Sequence, residues 1–122
     1  MKPLTGKEAI ATYSPTKGHS VVIYTHKFKS PEDFRKGVAI VKNQFPDAQV
    51  KHGQKRHNIF LERPSANELV NVSFFDEQGP GVDNWHKSEH RQEMVERLQD
   101  ILEKPIDVQV FEVGGFAGIK GS

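Results

Sequence analysis

The order of periodic segments along the chain predicts an α+β fold, in which four antiparallel strands form one sheet and helices cover a single face of it. Three observations carry that expectation. Four short segments alternate side chains with the two-residue period of a strand. Two longer segments repeat apolar residues every three to four positions, as an amphipathic helix does. The segments follow one another as strand, helix, strand, strand, helix, strand, which is the split βαβ or ferredoxin-like βαββαβ arrangement.

Residues 1–18 carry Pro3, Gly6, Pro15 and Gly18 with little periodicity and read as an N-terminal arm. The first strand is expected over 20–28. Val21, Ile23 and Thr25 fall on one face, and Val22, Tyr24, His26 and Phe28 on the other. Both faces are partly apolar, as in a strand held between two layers. Ser30 as N-cap, Pro31 at the first helical position and acids at 32 and 33 start a helix. Its stripe is Phe34, Val38, Val41 and Phe45, and Pro46 stops it.

A polar loop over 46–56 leads to a second strand over 57–62, with Ile59 and Leu61 opposite Phe60. The Arg63-Pro64-Ser65-Ala66-Asn67 turn makes a hairpin whose return arm spans 69–76. Val70, Val72 and Phe74 alternate there with Leu69, Asn71, Ser73 and Phe75. Gln78-Gly79-Pro80-Gly81 breaks the chain before one long helical region over 82–103, whose stripe is Met94, Leu98, Ile101 and Leu102. Pro105 ends that region. Ile106, Val108 and Val110 then alternate with Asp107, Gln109 and Phe111 as a last strand, and 114–122, with four glycines, reads as a flexible tail.

At 122 residues the chain forms one domain, expected over 19–113 between arm and tail. The absence of cysteine excludes a disulfide scaffold, a thiol nucleophile and cysteine-ligated metal sites. Seventeen Lys and Arg against sixteen Asp and Glu give a net charge of +1, so no global field draws the chain to nucleic acid or an anionic membrane. The longest strongly apolar run, Val38-Ala39-Ile40-Val41, is far short of the ~20 residues that span a bilayer. The first twenty residues hold no apolar signal-type stretch, and cytoplasmic residence is the expectation. Only 35% of residues are hydrophobic, which suits a core shared between copies. A monomer would leave the second sheet face wet, so two such faces are expected to meet in a homodimer.

From about His19 to Val113 the chain resembles the antibiotic biosynthesis monooxygenase-like families of the dimeric α+β barrel superfamily. The resemblance rests on Val70-Asn71-Val72-Ser73-Phe74-Phe75-Asp76, a strand ending in an aromatic and an acid, followed by Val82-Asp83-Asn84-Trp85-His86-Lys87-Ser88-Glu89-His90. In that family the strand leads to a short helix, an aromatic or His three residues before a Ser, and a longer helix; Trp85 and Ser88 match. Lys104-Pro105-Ile106-Asp107-Val108-Gln109-Val110-Phe111-Glu112-Val113 looks like the family's last strand. The resemblance implies a sheet-to-sheet dimer and a pocket between helices and sheet. Its members include cofactor-independent monooxygenases of aromatic polyketides or quinols, haem-degrading enzymes, small-molecule isomerases and many with no assigned reaction. Of the three haem-degrading positions only Trp85 is kept; Val95 stands where a His would be, and Tyr24-Thr25-His26 where an Asn would be.

Within that frame the candidate catalytic residues are His26 and His57, and the candidate substrate-binding residues are Tyr24, Asn71, Ser73, Phe75, Trp85 and His90. A neutral imidazole at His26 could take a phenolic or quinol proton before oxygen attack. His57, Asn71 and Ser73 could hold the resulting oxyanion. A buried, hydrogen-bonded His and a core Trp are the structural alternatives at 26 and 85. His86 and His90, at i and i+4, fall on one face of the expected helix, with His90 nearer the Met94 stripe and His86 solvated. Nothing aims a third donor at them, so no metal and no cofactor are expected. Lys51, Lys55, Arg56 and His57 form a basic stretch without interleaved aromatics, and no phosphate loop or GxSxG is present. The expected function is binding of a small apolar or aromatic molecule, with cofactor-independent monooxygenation as the chemistry. The alternative is a non-catalytic ligand-binding or assembly protein of the same fold.

Overall fold

The computed structural model describes residues 18–43, 55–75 and 80–115, and the side chains of 55–57, 80 and 81 fall outside that description. The arm, residues 44–54, 76–79 and 116–122 likewise lie outside the described residues. The elements are β1 (Ser20–Lys27), α1 (Pro31–Asn43), β2 (Lys55–Arg63), a 3-10 turn (Pro64–Ala66), β3 (Glu68–Phe75), α2 (Pro80–Lys87), α3 (Glu89–Leu98) and β4 (Asp107–Glu112). The sheet is antiparallel throughout, in the order β2-β3-β1-β4. This is the ferredoxin-like α+β fold read from the alternation pattern.

Local chemistry accounts for the element ends. The Ser30 hydroxyl accepts from the Asp33 amide at 3.1 Å, which caps α1, and Glu32 and Asp33 face the positive end of the helix. The hairpin turns through Asn67 in the left-handed region at φ 53, a conformation Asn tolerates better than most side chains. Beyond β1 the chain is stitched to the segment after α3. Lys29 N donates to Ile101 O at 3.1 Å, Glu103 N donates to Lys27 O at 2.8 Å, and Phe28 and Leu102 form an isolated bridge.

Burial alternates along β1 and β3. Val22, Tyr24, His26 and Phe28 on β1 and its extension, with Leu69, Asn71, Ser73 and Phe75 on β3, lie beneath the helices. Two clusters fill that layer. Phe28, Phe34, Val41, Leu69, Met94 and Leu98 join α1 and α3 to the sheet, and Val22, Tyr24, Phe75, Val82 and Trp85 join α2 to it. Gly37 is buried where α1 crosses Phe28, and a Cβ there would overlap the phenyl ring, so the helix approaches the strand as closely as it does only because position 37 lacks a side chain.

The other sheet face carries no helix among the described residues. Register aligns Ile59 with Val72 and Leu61 with Val70 across β2 and β3, and Val72 with Ile23 across to β1. Leu61 is 54% exposed and Phe111, at the β4 edge, 49%. β4 is exposed along its whole length, including Val110, which shares the covered side with Val22; the helical layer does not reach this edge.

The long helix expected over 82–103 is two helices. α2 ends at Lys87, Ser88 adopts an extended conformation, and its hydroxyl accepts from the Arg91 amide at 3.3 Å while donating to the Trp85 carbonyl at 2.7 Å. One side chain thus closes α2 and opens α3. The apolar period survives the interruption, which is why periodicity alone reads one helix. α3 also stops at Leu98 rather than running on to Glu103, because the following residues turn back to pair with the end of β1.

Candidate functional site

Between the sheet and the helices, Tyr24, His26, Val41, Asn71, Trp85, Arg91 and Met94 surround one small cavity of about 10 Å³, room for one water molecule. Each element supplies its residue by register. Tyr24 and Asn71 are direct partners across β1 and β3, and His26 lies two residues along from Tyr24 on the same face. Trp85 descends from α2, Arg91 and Met94 from α3, and Val41 from α1. A wider open groove of about 420 Å³ between Ala39, Ile40, Lys42, Asn43 and Arg97 holds none of the acid-base candidates.

His26 is buried, and its Nδ1 lies 3.1 Å from the Leu69 carbonyl. A carbonyl can only accept, so Nδ1 carries the proton and the lone pair of the neutral ring is on Nε2. The ring stacks on Phe28, with 6.2 Å between centroids, which fixes its plane. Tyr24 Oη lies 2.9 Å from His86 Nε2. Burial pushes the Tyr24 phenol well above its ordinary value, partly offset by the charge of Arg91 and a hydrogen bond from Trp85. The phenol therefore keeps its proton, and which partner of the Tyr24–His86 hydrogen bond donates follows the tautomer of the His86 ring. The Arg91 guanidinium sits over the Tyr24 ring at 5.8 Å, and burial works against its charge.

The structure brings together Tyr24, His26, Asn71 and Trp85 of the expected set. Ser73 and Phe75 lie behind the cavity. Ser73, fully buried, donates to Asn58 Oδ1 at 2.6 Å and lies 3.2 Å from Asn71 Oδ1, while Asn71 Nδ2 donates to Asn58 Oδ1 at 2.8 Å. This polar cluster consumes the donors that an oxyanion would need from Ser73. Phe75 packs in the core with Val22, Tyr24, Val82 and Trp85. The backbone of His57 pairs with Phe74, out of phase with Asn58, which pairs with Ser73; the His57 side chain lies outside the described residues.

The two histidines of the second helical region are both half-buried, and neither lines the cavity. His86, expected in solvent, is half-buried on Tyr24, and His90, expected at the pocket, is not among the cavity residues. The break at Ser88 is the cause: it places them on separate helices, so the i, i+4 relation no longer puts them on one face. Among the described residues no three His, Asp or Glu side chains converge as a metal site would require.

Sequence reading missed Arg91, His86 and Asn58. Arg91 carried a signal, since a cation in the first turn of a helix opposes the helix dipole, but that signal is visible only once Ser88 is known to start α3.

Solved structures share this architecture. An antibiotic biosynthesis monooxygenase superposes with a TM-score of 0.65 at 12% identity, covering 77% of this chain and 97% of its own. A Caulobacter crescentus protein proposed to be another such enzyme gives 0.69 at 5% identity, covering 80% and 91%. A conserved protein from Methanosarcina mazei gives 0.67 at 15% identity, covering 80% and 94%. The chain has the fold of these proteins. No protein-family model and no curated protein sequence matches it. At such identities backbone path is shared while side chains at the cleft are free to differ, so fold and chemistry must be argued separately. No helix among the described residues is long and apolar enough to cross a membrane.

Proposed function

We propose that the helix-sheet cleft binds a small aromatic molecule and supports its oxygenation by O2 without a tightly held cofactor, in a cytoplasmic homodimer. The observation that carries this reading is the convergence of Tyr24, His26, Asn71 and Arg91 with Trp85 on one cavity. Four polar side chains around one small cavity, three from the sheet and one from α3, are more than packing needs. The likeness in fold to an antibiotic biosynthesis monooxygenase is consistent with this chemistry.

His26 is the base. Its Nε2 takes the proton of a ring hydroxyl, and the resulting enolate passes electrons to O2 and is captured as a peroxide at the opposite ring carbon. A CH2 group and O2 thus become a carbonyl and one water. The cavity has room for one water, so a larger ligand needs the layer to open, and α2, which carries Trp85 and His86, is the element proposed to move. The homodimer is supported by the apolar face of Ile23, Ile59, Leu61, Val70 and Val72.

Anthrone, whose methylene carbon lies opposite its oxygen, is the first substrate to supply, with oxygen uptake as readout. Wild-type protein is expected to accelerate uptake, and His26→Gln to lower the rate about 100-fold. No acceleration together with saturable binding would leave the second reading, a non-catalytic ligand-binding protein. That reading is favoured by how fully Trp85 and Met94 close the cavity.

A further inference from the structure

We propose that Arg91 is the anion-recognising residue of the cleft, and that the molecule taken there is an aromatic acid whose carboxylate seats against the guanidinium. This rests on the reading that the cleft accepts small aromatic molecules. Arg91 lines the cavity beside Tyr24, His26, Asn71 and Trp85. Its Nε is enclosed, with no hydrogen-bond partner among the described residues. Ion pairs join Lys36 to Glu32, Lys42 to Glu62 and Arg63 to Glu68, and none of these takes Arg91.

Stacking over Tyr24 covers the face of the guanidinium and leaves the enclosed Nε–H on its edge unanswered. An enclosed donor without an acceptor is costly, and natural proteins rarely retain one. A carboxylate answers it with two parallel N–H···O bonds, a match of geometry as well as charge. The position of Arg91 in the first turn of α3 adds to this, because the helix dipole that opposes the cation favours the anion. The ring of the acid would then lie against Trp85 and Met94, the apolar part of the lining.

Trp85 is the only tryptophan of the chain, so its fluorescence reports occupancy of this cavity. The test titrates the full chain at neutral pH with 1-hydroxy-2-naphthoate and with 1-naphthol, its uncharged counterpart. Wild-type protein is expected to bind the carboxylate about tenfold more tightly or better, Arg91→Met to lose that preference while still binding 1-naphthol, and Arg91→Lys to keep part of it. Equal affinity of the wild type for both probes, a comparison that needs no variant to fold, overturns the assignment and leaves aromatic binding intact. A preference that persists in Arg91→Met, with circular dichroism unchanged, overturns it as well. Failure of both probes to bind overturns it together with the reading it rests on.

Discussion

Tyr24 on β1 and His86 on α2, distant in sequence, meet with 2.9 Å between Oη and Nε2 in the layer between sheet and helices. This bond ties α2 to the centre of the sheet at the point where the cavity begins. Tyr24→Phe should lower stability by about 1–2 kcal/mol, since it removes the bond and leaves the half-buried imidazole without that partner. Urea denaturation at neutral pH measures it, and an unchanged midpoint would show that the contact contributes nothing.

The same pair predicts a pH dependence. The folded-state pKa of Tyr24 is raised above its value of 10.0 in the unfolded chain. Below pH 10 the phenol is protonated in both states and its contribution is intact. As pH rises past 10 the unfolded state loses the proton while the folded state keeps it, and stability falls by at most about 1.4 kcal/mol per pH unit. The difference between wild type and Tyr24→Phe should therefore shrink above pH 10, and parallel stability curves from pH 8 to 11 would contradict the assignment.

Gly37→Ala should destabilise the fold although Ala is the better helix former by about 1 kcal/mol. The new methyl group overlaps the Phe28 ring, and overpacking of this kind costs about 1–3 kcal/mol beyond the propensity gain. A double-mutant cycle with Phe28→Leu isolates the clash; the second substitution should recover much of the loss.

Ser88→Ala removes both the cap of α3 and the tie to the Trp85 carbonyl, and should cost about 1 kcal/mol. A matching shift in Trp85 fluorescence is expected, because α2 loses its C-terminal anchor.

Val72→Glu places a carboxylate in the middle of the open sheet face without touching the cavity. Sedimentation should show dimers for the wild type and monomers for the variant at micromolar concentration. A wild type that sediments as a stable monomer removes the sheet-to-sheet pairing from the proposal.

Alternation made the four strands and their order legible, because the strand period is a local property of the chain. It left open which face the helices cover: Val21, Ile23 and Val72 are as apolar as Val22 and Leu69. Tyr24, His26, Asn71 and Trp85 could be nominated because each stands out in its own segment. His86 and Arg91 could not, because their positions depend on where Ser88 interrupts the helix, which the surviving apolar period conceals. Gly37 was invisible for a different reason. Its role is set by Phe28, nine positions away and on another element.

The interruption at Ser88 has a consequence for how such a cleft changes over time. Because rotation about the helix axis is reset there, substitutions at 82–87 can reshape the roof of the cavity without turning Met94 and Leu98 away from the layer they anchor. The cavity wall can drift on one side of a single serine while foldedness is kept on the other.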